Sequence, residues 1–220
     1  MDAVSLRKAR RSQRGVTLLE LMIAMVILAM LLGAIGVTVL RGGEAFEQGV
    51  AASEVDSQAR RALDRITDEL AAARVASLAP NPVAPFGSST LSFDEAAGFA
   101  AGVVVPGSTS RIVLQADATD ADDGIDNNGN GLIDECEVVL VHDFGLPTET
   151  RATIASWVRE FAVGELENGA DDNGDGLIDE RGLSFALTGQ TLDIRVTIER
   201  LDPEGRPLAR TVETSVRLRN

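Results

Sequence analysis

Between residues 16 and 40 the chain reads VTLLELMIAMVILAMLLGAIGVTVL, twenty-five residues with a single charge, Glu20. As a helix at about 1.5 Å per residue, the twenty uncharged residues from 21 to 40 span roughly 30 Å, the thickness of a bilayer core. Ahead of the run, residues 1–15 hold five basic side chains, Arg7, Lys8, Arg10, Arg11 and Arg14, against one acid, Asp2. That basic excess predicts one membrane span, with the N-terminus in the cytoplasm and the remainder outside. A cleaved secretory signal starts in the same way, but its apolar region is only about 7–15 residues long and ends at an A-x-A-like site. This run is longer, carries an acid near its start and has no such site at its end, so it reads as retained.

Composition narrows the rest. Of 220 residues, 45% are apolar and 25% charged, which excludes a disordered or collagen-like chain. The formal charge is −14, with 34 acids against 20 bases. A duplex-binding surface is basic, so nucleic acid is not expected as a partner. Aromatics make up only 4%, one of them Trp and none Tyr, which argues against a base-stacking platform. One cysteine excludes an intramolecular disulfide framework.

Glu20 is the residue that needs an explanation. A carboxylate near the start of a membrane helix costs on the order of 2–3 kcal/mol and usually has a counterpart. It could be an interfacial acid reaching back to headgroup water. The surrounding residues, Arg14-Gly15-Val16-Thr17-Leu18-Leu19-Glu20, offer a second reading. Together with the basic leader and the long apolar run, this segment resembles the class III signal of type IV prepilins and type II secretion pseudopilins. The resemblance implies that a prepilin peptidase in the inner membrane cuts between Gly15 and Val16 and methylates the new amino terminus. Glu20 then becomes the fifth mature residue, ion-paired with the charged N-terminus of a neighbouring pilin or pseudopilin in a filament. Val16 departs from the family's usual Phe or Met, which bears on methylation more than on cleavage. Removing five bases and one acid leaves a 205-residue mature chain with 15 basic and 33 acidic side chains, a charge of −18.

Beyond the span, Arg41-Gly42-Gly43-Glu44 reads as a polar, flexible hinge. An apolar helical face follows in Val55, Ala59, Ala62, Ile66, Leu70 and Ala73, with Asp56, Arg60, Asp64, Arg65, Asp68 and Glu69 opposite. The helix is expected to continue over 42–79 until Pro80, Pro82 and Pro85 end it. The stretch ARRALDRITDELAAAR resembles the helix of J-type minor pseudopilins and W-type minor pilins, which favours a minor subunit.

From residue 80 the period changes from 3.6 to 2. Candidate strands lie at 90–93, 102–105, 111–115, 138–141, 158–163, 183–187, 192–200 and 208–218. The last two form a hairpin about the turn Asp202-Pro203-Glu204-Gly205, with Leu192, Ile194, Val196 and Ile198 on one face. The expected fold is α+β: a long N-terminal helix, membrane-spanning over 16–41, on an antiparallel sheet domain over 80–220. The resemblance to pilins implies the same architecture.

The remaining signal is an internal repeat. Residues 123–135, DGIDNNGNGLIDE, and residues 168–180, NGADDNGDGLIDE, agree at nine of thirteen positions, 45 residues apart. The first loop, 120–137, fits the calcium pattern D-x-[DN]-x-[DN]-G-x5-E. Asp126, Asn128, Asn130, Asp134 and Glu137 are candidate ligands, and Leu132 would offer its carbonyl. The second loop, 165–182, supplies Asp171, Asn173, Asp175, Leu177 and Asp179. Gly182 stands where the twelfth-position Glu belongs, so Glu180 or a residue from elsewhere would have to close that site, and it is expected to be the weaker.

The alternative is two Asx/Gly turns joining strands. Charge density argues against it: residues 117–137 hold eight acids and no base, and residues 165–180 seven acids and no base. Two carboxylates about 4 Å apart repel by up to roughly 4 kcal/mol at an effective dielectric of 20. Ca2+ is therefore the expected cofactor. The loops resemble those of thrombospondin type 3 repeats or dockerins more than a full EF-hand.

Enzymatic signals are absent from the sequence. His142 is the single histidine, Cys136 and His142 form the sole Cys–His combination, and neither a G-x-S-x-G nor a phosphate loop occurs. No small-molecule substrate is expected. The leading reading is an assembly protein, a minor pseudopilin or minor pilin. The other is a pilin-anchored calcium-dependent adhesin at a filament tip, which would be expected to carry an extra domain. The sequence does not separate a type II secretion pseudopilus from a type IV pilus.

Overall fold

A computed structural model describes residues 15–71, 73–100 and 102–218. Of the basic leader expected over 1–15, only Gly15 lies within the described residues. One helix precedes a sheet of seven strands: α1 (Leu18–Leu70), β1 (Thr90–Ala100), β2 (Val103–Ala116), β3 (Cys136–His142), β4 (Thr150–Val158), β5 (Leu183–Thr188), β6 (Thr191–Leu201) and β7 (Pro207–Arg217). The class is α+β. The chain divides into two units, one ending at Phe46 and one beginning at Glu47.

In the first unit the helix is apolar on all sides and its large side chains are exposed, from Leu18 and Leu19 through Ile35 to Leu40 and Phe46. Its mean hydropathy reaches 2.7 over an 18-residue window, enough to cross a membrane by length and composition. The expected hinge is not there: α1 runs unbroken through Arg41, Gly42, Gly43 and Glu44. Two glycines cost a helix only about 1 kcal/mol each relative to Ala, and neither introduces the steric break that proline would. The helix also stops at Leu70, well before the prolines, and a 3-10 turn over Val75–Ser77 follows.

In the second unit α1 buries Val55, Ala59, Ala62, Leu63, Ile66 and Leu70. The spacing of three and four residues sets these on one stripe, which joins the same buried core as the sheet. Against this stripe lie the fully buried Phe93, Ile112, Leu140, Phe185, Leu192 and Ile194. Burying each such large side chain contributes about 1.5–3 kcal/mol. The opposite face is solvated and carries the pairs Arg60–Asp56 at 2.8 Å and Arg65–Glu69 at 2.7 Å.

The sheet is antiparallel, in the order β1-β2-β3-β4-β6-β5, with β7 paired to β6. The β6–β7 hairpin takes the expected register, from Thr191↔Arg217 to Leu201↔Pro207, and Asp202 Oδ1 accepts the Glu204 and Arg206 amides in its turn. Three strand expectations change. The candidates 102–105 and 111–115 are one strand, β2, because Pro106 stands at an irregularity in the β1–β2 ladder (Ala96↔Pro106) that absorbs its missing N–H. Strand β1 runs to Ala100 and does not stop at residue 93. The expected strand 158–163 is displaced: β4 ends at Val158 after an irregularity that puts Trp157 at φ 58.

Because β3 is antiparallel to both β2 and β4, the β2–β3 loop and the β4–β5 loop leave the same end of the sheet. Cys136, which closes the first loop, pairs with Val158, which opens the second. The two repeats are therefore neighbours in space.

Candidate functional site

The structure holds two candidate sites, one at each extreme of polarity. The first is the start of α1. Gly15 and Val16 precede the helix and are exposed. Thr17 caps it: its Oγ1 accepts the Glu20 amide at 3.2 Å and its carbonyl accepts the Leu21 amide at 3.1 Å. Glu20 thus occupies the third helical position after a threonine cap, the arrangement of a capping box, where a carboxylate also favours the helix dipole. This local role escaped the reading of the sequence, although the spacing Thr17-x-x-Glu20 was there to be seen. Among the described residues nothing lies within 4 Å of where a Cβ on Gly15 would stand, so the described fold does not require glycine there.

The second site is the pair of acidic loops, and the geometry of the two repeats agrees closely. In the first, Asp126 gathers the loop: its Oδ1 accepts the amides of Gly129 (2.7 Å) and Asn130 (3.2 Å), and its Oδ2 that of Gly131 (2.8 Å). Asp171 does the same for Gly174 (2.6 Å), Asp175 (3.1 Å) and Gly176 (2.9 Å). Gly131 and Gly176 follow at φ 89 and 94, a conformation that disfavours any side chain. Asn130 Oδ1 accepts the Leu132 amide and Asp175 Oδ1 the Leu177 amide, and both leucine side chains are buried as anchors.

Two kinds of proposed ligand are used otherwise. Asp134 accepts the amides of Asp123 and Gly124, and Asp179 those of Asn168 and Gly169, so each ties the mouth of its loop shut. Glu137 belongs to β3 and turns away from the loop, accepting from Gln115 Nε2 at 2.7 Å and Thr153 Oγ1 at 3.0 Å. The reason is the period of the strand: β3 begins at Cys136, so residue 137 already follows the alternation of the sheet. The carboxylate that does meet the loop is Glu135, bonded by Asn128 Nδ2 at 2.8 Å and by Asn130 Nδ2. Glu180 is its counterpart, bonded by Asn173 Nδ2 at 2.6 Å. Behind them stand two further acids. Asp120 accepts the Asn127 and Asp134 amides, and Glu165 accepts the Asn173 amide at 2.8 Å.

These four acids are almost wholly enclosed: Asp120 is 1% exposed, Glu135 4%, Glu165 5% and Glu180 3%. The Oε2 atoms of Glu135, Glu165 and Glu180 have no hydrogen-bond partner. Each such orphaned buried acceptor costs on the order of 1–3 kcal/mol, and more when charged. Burial, together with the neighbouring Asp175, pushes the Glu180 carboxyl up to about 7. Asp175 itself is held low: burial acts upward but is outweighed by the Leu177 amide, the neighbouring Glu180 side chain and Arg195. Among the described residues no three His, Cys, Asp or Glu side chains cluster as a ready metal-holding group. A cation here would draw on amide and carbonyl oxygens as well as carboxylates, the mixed oxygen set that suits a hard ion such as Ca2+.

Neither chemically distinctive side chain is arranged for catalysis. Burial pushes the Cys136 thiol up to about 11, far from a thiolate at neutral pH. His142 meets Ser110 Oγ at 3.1 Å and Glu95 Oε1 at 3.0 Å, but through the same ring atom, Nδ1. A relay needs the hydroxyl and the acid on opposite ring nitrogens.

Residues 10–36 match the family model described as the prokaryotic N-terminal methylation motif. The match takes in the start of α1 and leaves residues 37–220 unmatched. The apolar helix and the prepilin motif are consistent with a single-pass inner-membrane anchor. No curated protein and no solved structure matches the chain.

Proposed function

We propose that this chain is a minor pseudopilin or minor pilin, an assembly subunit of a type II secretion pseudopilus or type IV pilus. It is cut after Gly15, methylated on Val16 and held in the inner membrane by residues 16–41, with its N-terminus cytoplasmic until processing and its sheet unit outside. The observation that carries this is the methylation motif over residues 10–36, running into an exposed apolar helix. The minor-subunit reading rests on the resemblance of residues 59–74 to the helix of J-type minor pseudopilins and W-type minor pilins.

Intact mass spectrometry of the membrane-extracted protein tests the processing step. The expected N-terminus is Val16, with cleavage slowed in Gly15→Ala and blocked by a bulkier residue. Because a side chain at position 15 meets none of the described residues, such a block would report on the peptidase and not on the fold of the described chain. A mature N-terminus elsewhere would remove the prepilin reading.

The two loops are read as calcium-ordered parts of the same subunit. They lack any disulfide brace, since Cys136 is the one cysteine in the chain. The full chain in detergent is expected to melt higher in calcium than in chelator, because a ligand at about 100 times its Kd adds roughly 2.7 kcal/mol. Identical melting in the two would leave the loops as turns.

A further inference from the structure

We propose that each chain holds two hard divalent cations, one per acidic loop, and that the residues closing the sites are the buried glutamates Glu135 and Glu180. This rests on the reading of the loops as calcium-ordered and goes beyond it. The two loops become equivalent, and the closing carboxylate is taken from the tenth position after Asp126 or Asp171 inclusive, not from the twelfth.

Acid content alone would not carry this, since such loops also occur as turns. The carrying observation is the set of enclosed, unpartnered carboxylate oxygens, Glu135 Oε2 and Glu180 Oε2, with Glu165 Oε2 behind the second. A folded chain rarely leaves a charged acceptor buried with nothing to meet it. Among the described residues no basic side chain pairs with Glu135, Glu165 or Glu180. A water molecule would satisfy one lone pair but would leave the repulsion between neighbouring acids untouched, whereas a divalent cation answers both.

The positions meeting each glutamate are those of the calcium pattern. Glu135 touches Asn128 and Asn130, the third and fifth positions, and Glu180 touches Asn173 and lies beside Asp175. Glu137 is engaged by Gln115 and Thr153 on the sheet and has no counterpart in the second repeat, where Gly182 stands. An arrangement closed at the twelfth position would therefore be available to one loop only, while closure at the tenth is available to both. The ions favoured are those content with carboxylate, amide and carbonyl oxygen, calcium before magnesium, with Kd of about 10⁻⁴ to 10⁻³ M as in extracellular modules.

Calcium titration of the full chain in detergent micelles, by calorimetry, decides it. Wild type is expected to bind two ions per chain, Glu135→Gln and Glu180→Gln one each, the double variant none, and Glu137→Gln two. Trp157 shares a cavity with Asn130 and Leu132, so its fluorescence should follow filling of the first loop and keep its response in Glu180→Gln. Melting supplies a readout that a purely structural glutamate would not give. Glu135→Gln and Glu180→Gln should each melt at or above wild type in chelator, having lost a buried carboxylate, and below it in calcium, while Glu137→Gln keeps the calcium shift of wild type. One site lost in Glu137→Gln with two kept in Glu135→Gln would overturn the assignment, and so would a single ion in wild type. No ion bound to wild type at all would instead overturn the underlying calcium reading.

Discussion

Glu20→Val is expected to yield a chain that is processed at Gly15 and then stranded in the membrane, cross-linking to no neighbouring subunit. The substitution leaves the cut site intact and keeps the Thr17 cap, whose hydroxyl accepts from the backbone amide of residue 20 and not from its side chain. What it removes is the one charge inside the apolar run. In the proposed filament that charge faces a positively charged mature N-terminus, and deleting one member of a buried pair costs about 3–5 kcal/mol, because the other is left uncompensated. At about 1.4 kcal/mol per tenfold change, incorporation should fall by at least a hundredfold. Glu20→Gln separates the two roles of the residue, since glutamine serves a capping box but carries no charge. Failure of both variants assigns the effect to charge; assembly of the Gln variant assigns it to the helix start. Normal incorporation of Glu20→Val, read by cross-linking in sheared filaments, would make Glu20 an interfacial acid only.

The second large effect is expected where the sequence pattern invites a repair. Gly182→Glu restores the twelfth-position acid that the second loop lacks, yet it should destabilise the sheet unit and gain nothing in calcium affinity. A Cβ at Gly182 would collide with the carbonyl oxygen of Arg159 and stand 3.2 Å from Val158 Cγ1. The backbone cannot retreat: the Gly182 amide donates to the Glu160 carbonyl at 2.9 Å, and its own carbonyl accepts from Thr197 at 2.7 Å. Overpacking of this kind costs typically 1–3 kcal/mol and occasionally more; with backbone on both sides, about 3 kcal/mol or above is expected. At about 2–4 °C per kcal/mol, the melting temperature should drop by roughly 10 °C in calcium and in chelator alike. A Gly182→Glu chain that melts like wild type and binds calcium more tightly would contradict this.

These two residues mark how far the sequence could be read. Patterns that depend on one periodicity were legible: the stripe Val55, Ala59, Ala62, Ile66 and Leu70 is buried throughout, and the alternation Leu192, Ile194, Val196, Ile198 faces the core as expected. Features set by a competition between weak terms were not. Gly42 and Gly43 lower helix propensity but do not outweigh a 53-residue cooperative helix. The loop repeat was plain in the sequence, whereas the choice between Glu135 and Glu137 hangs on where β3 begins, which the spacing of acids along the chain does not show. Gly182 looked like a missing ligand because spacing along a chain says nothing of the backbone that crosses it. Asp134 and Asp179 occupy ligand positions by count, but the nearest donors to them are the amides of their own loop mouths.

Strands β1–β4 follow one another in sequence, as do β5–β7, and the named strands of the two sets share one ladder pair, Val158↔Ile198. Each set is a local meander that forms without bringing distant chain together. Joining them closes the 24-residue connection between Val158 and Leu183, an entropic cost of about 3 kcal/mol from chain length alone. The tie from Asp179 to the Asn168 and Gly169 amides shortens the free contour of that connection, and an ion beside it would shorten it in the same way. The first loop links β2 to β3, already neighbours within one meander, so its ordering leaves that closure untouched. Order in the second loop is therefore expected to lower the entropic cost of docking the two meanders, and order in the first to act within one meander alone.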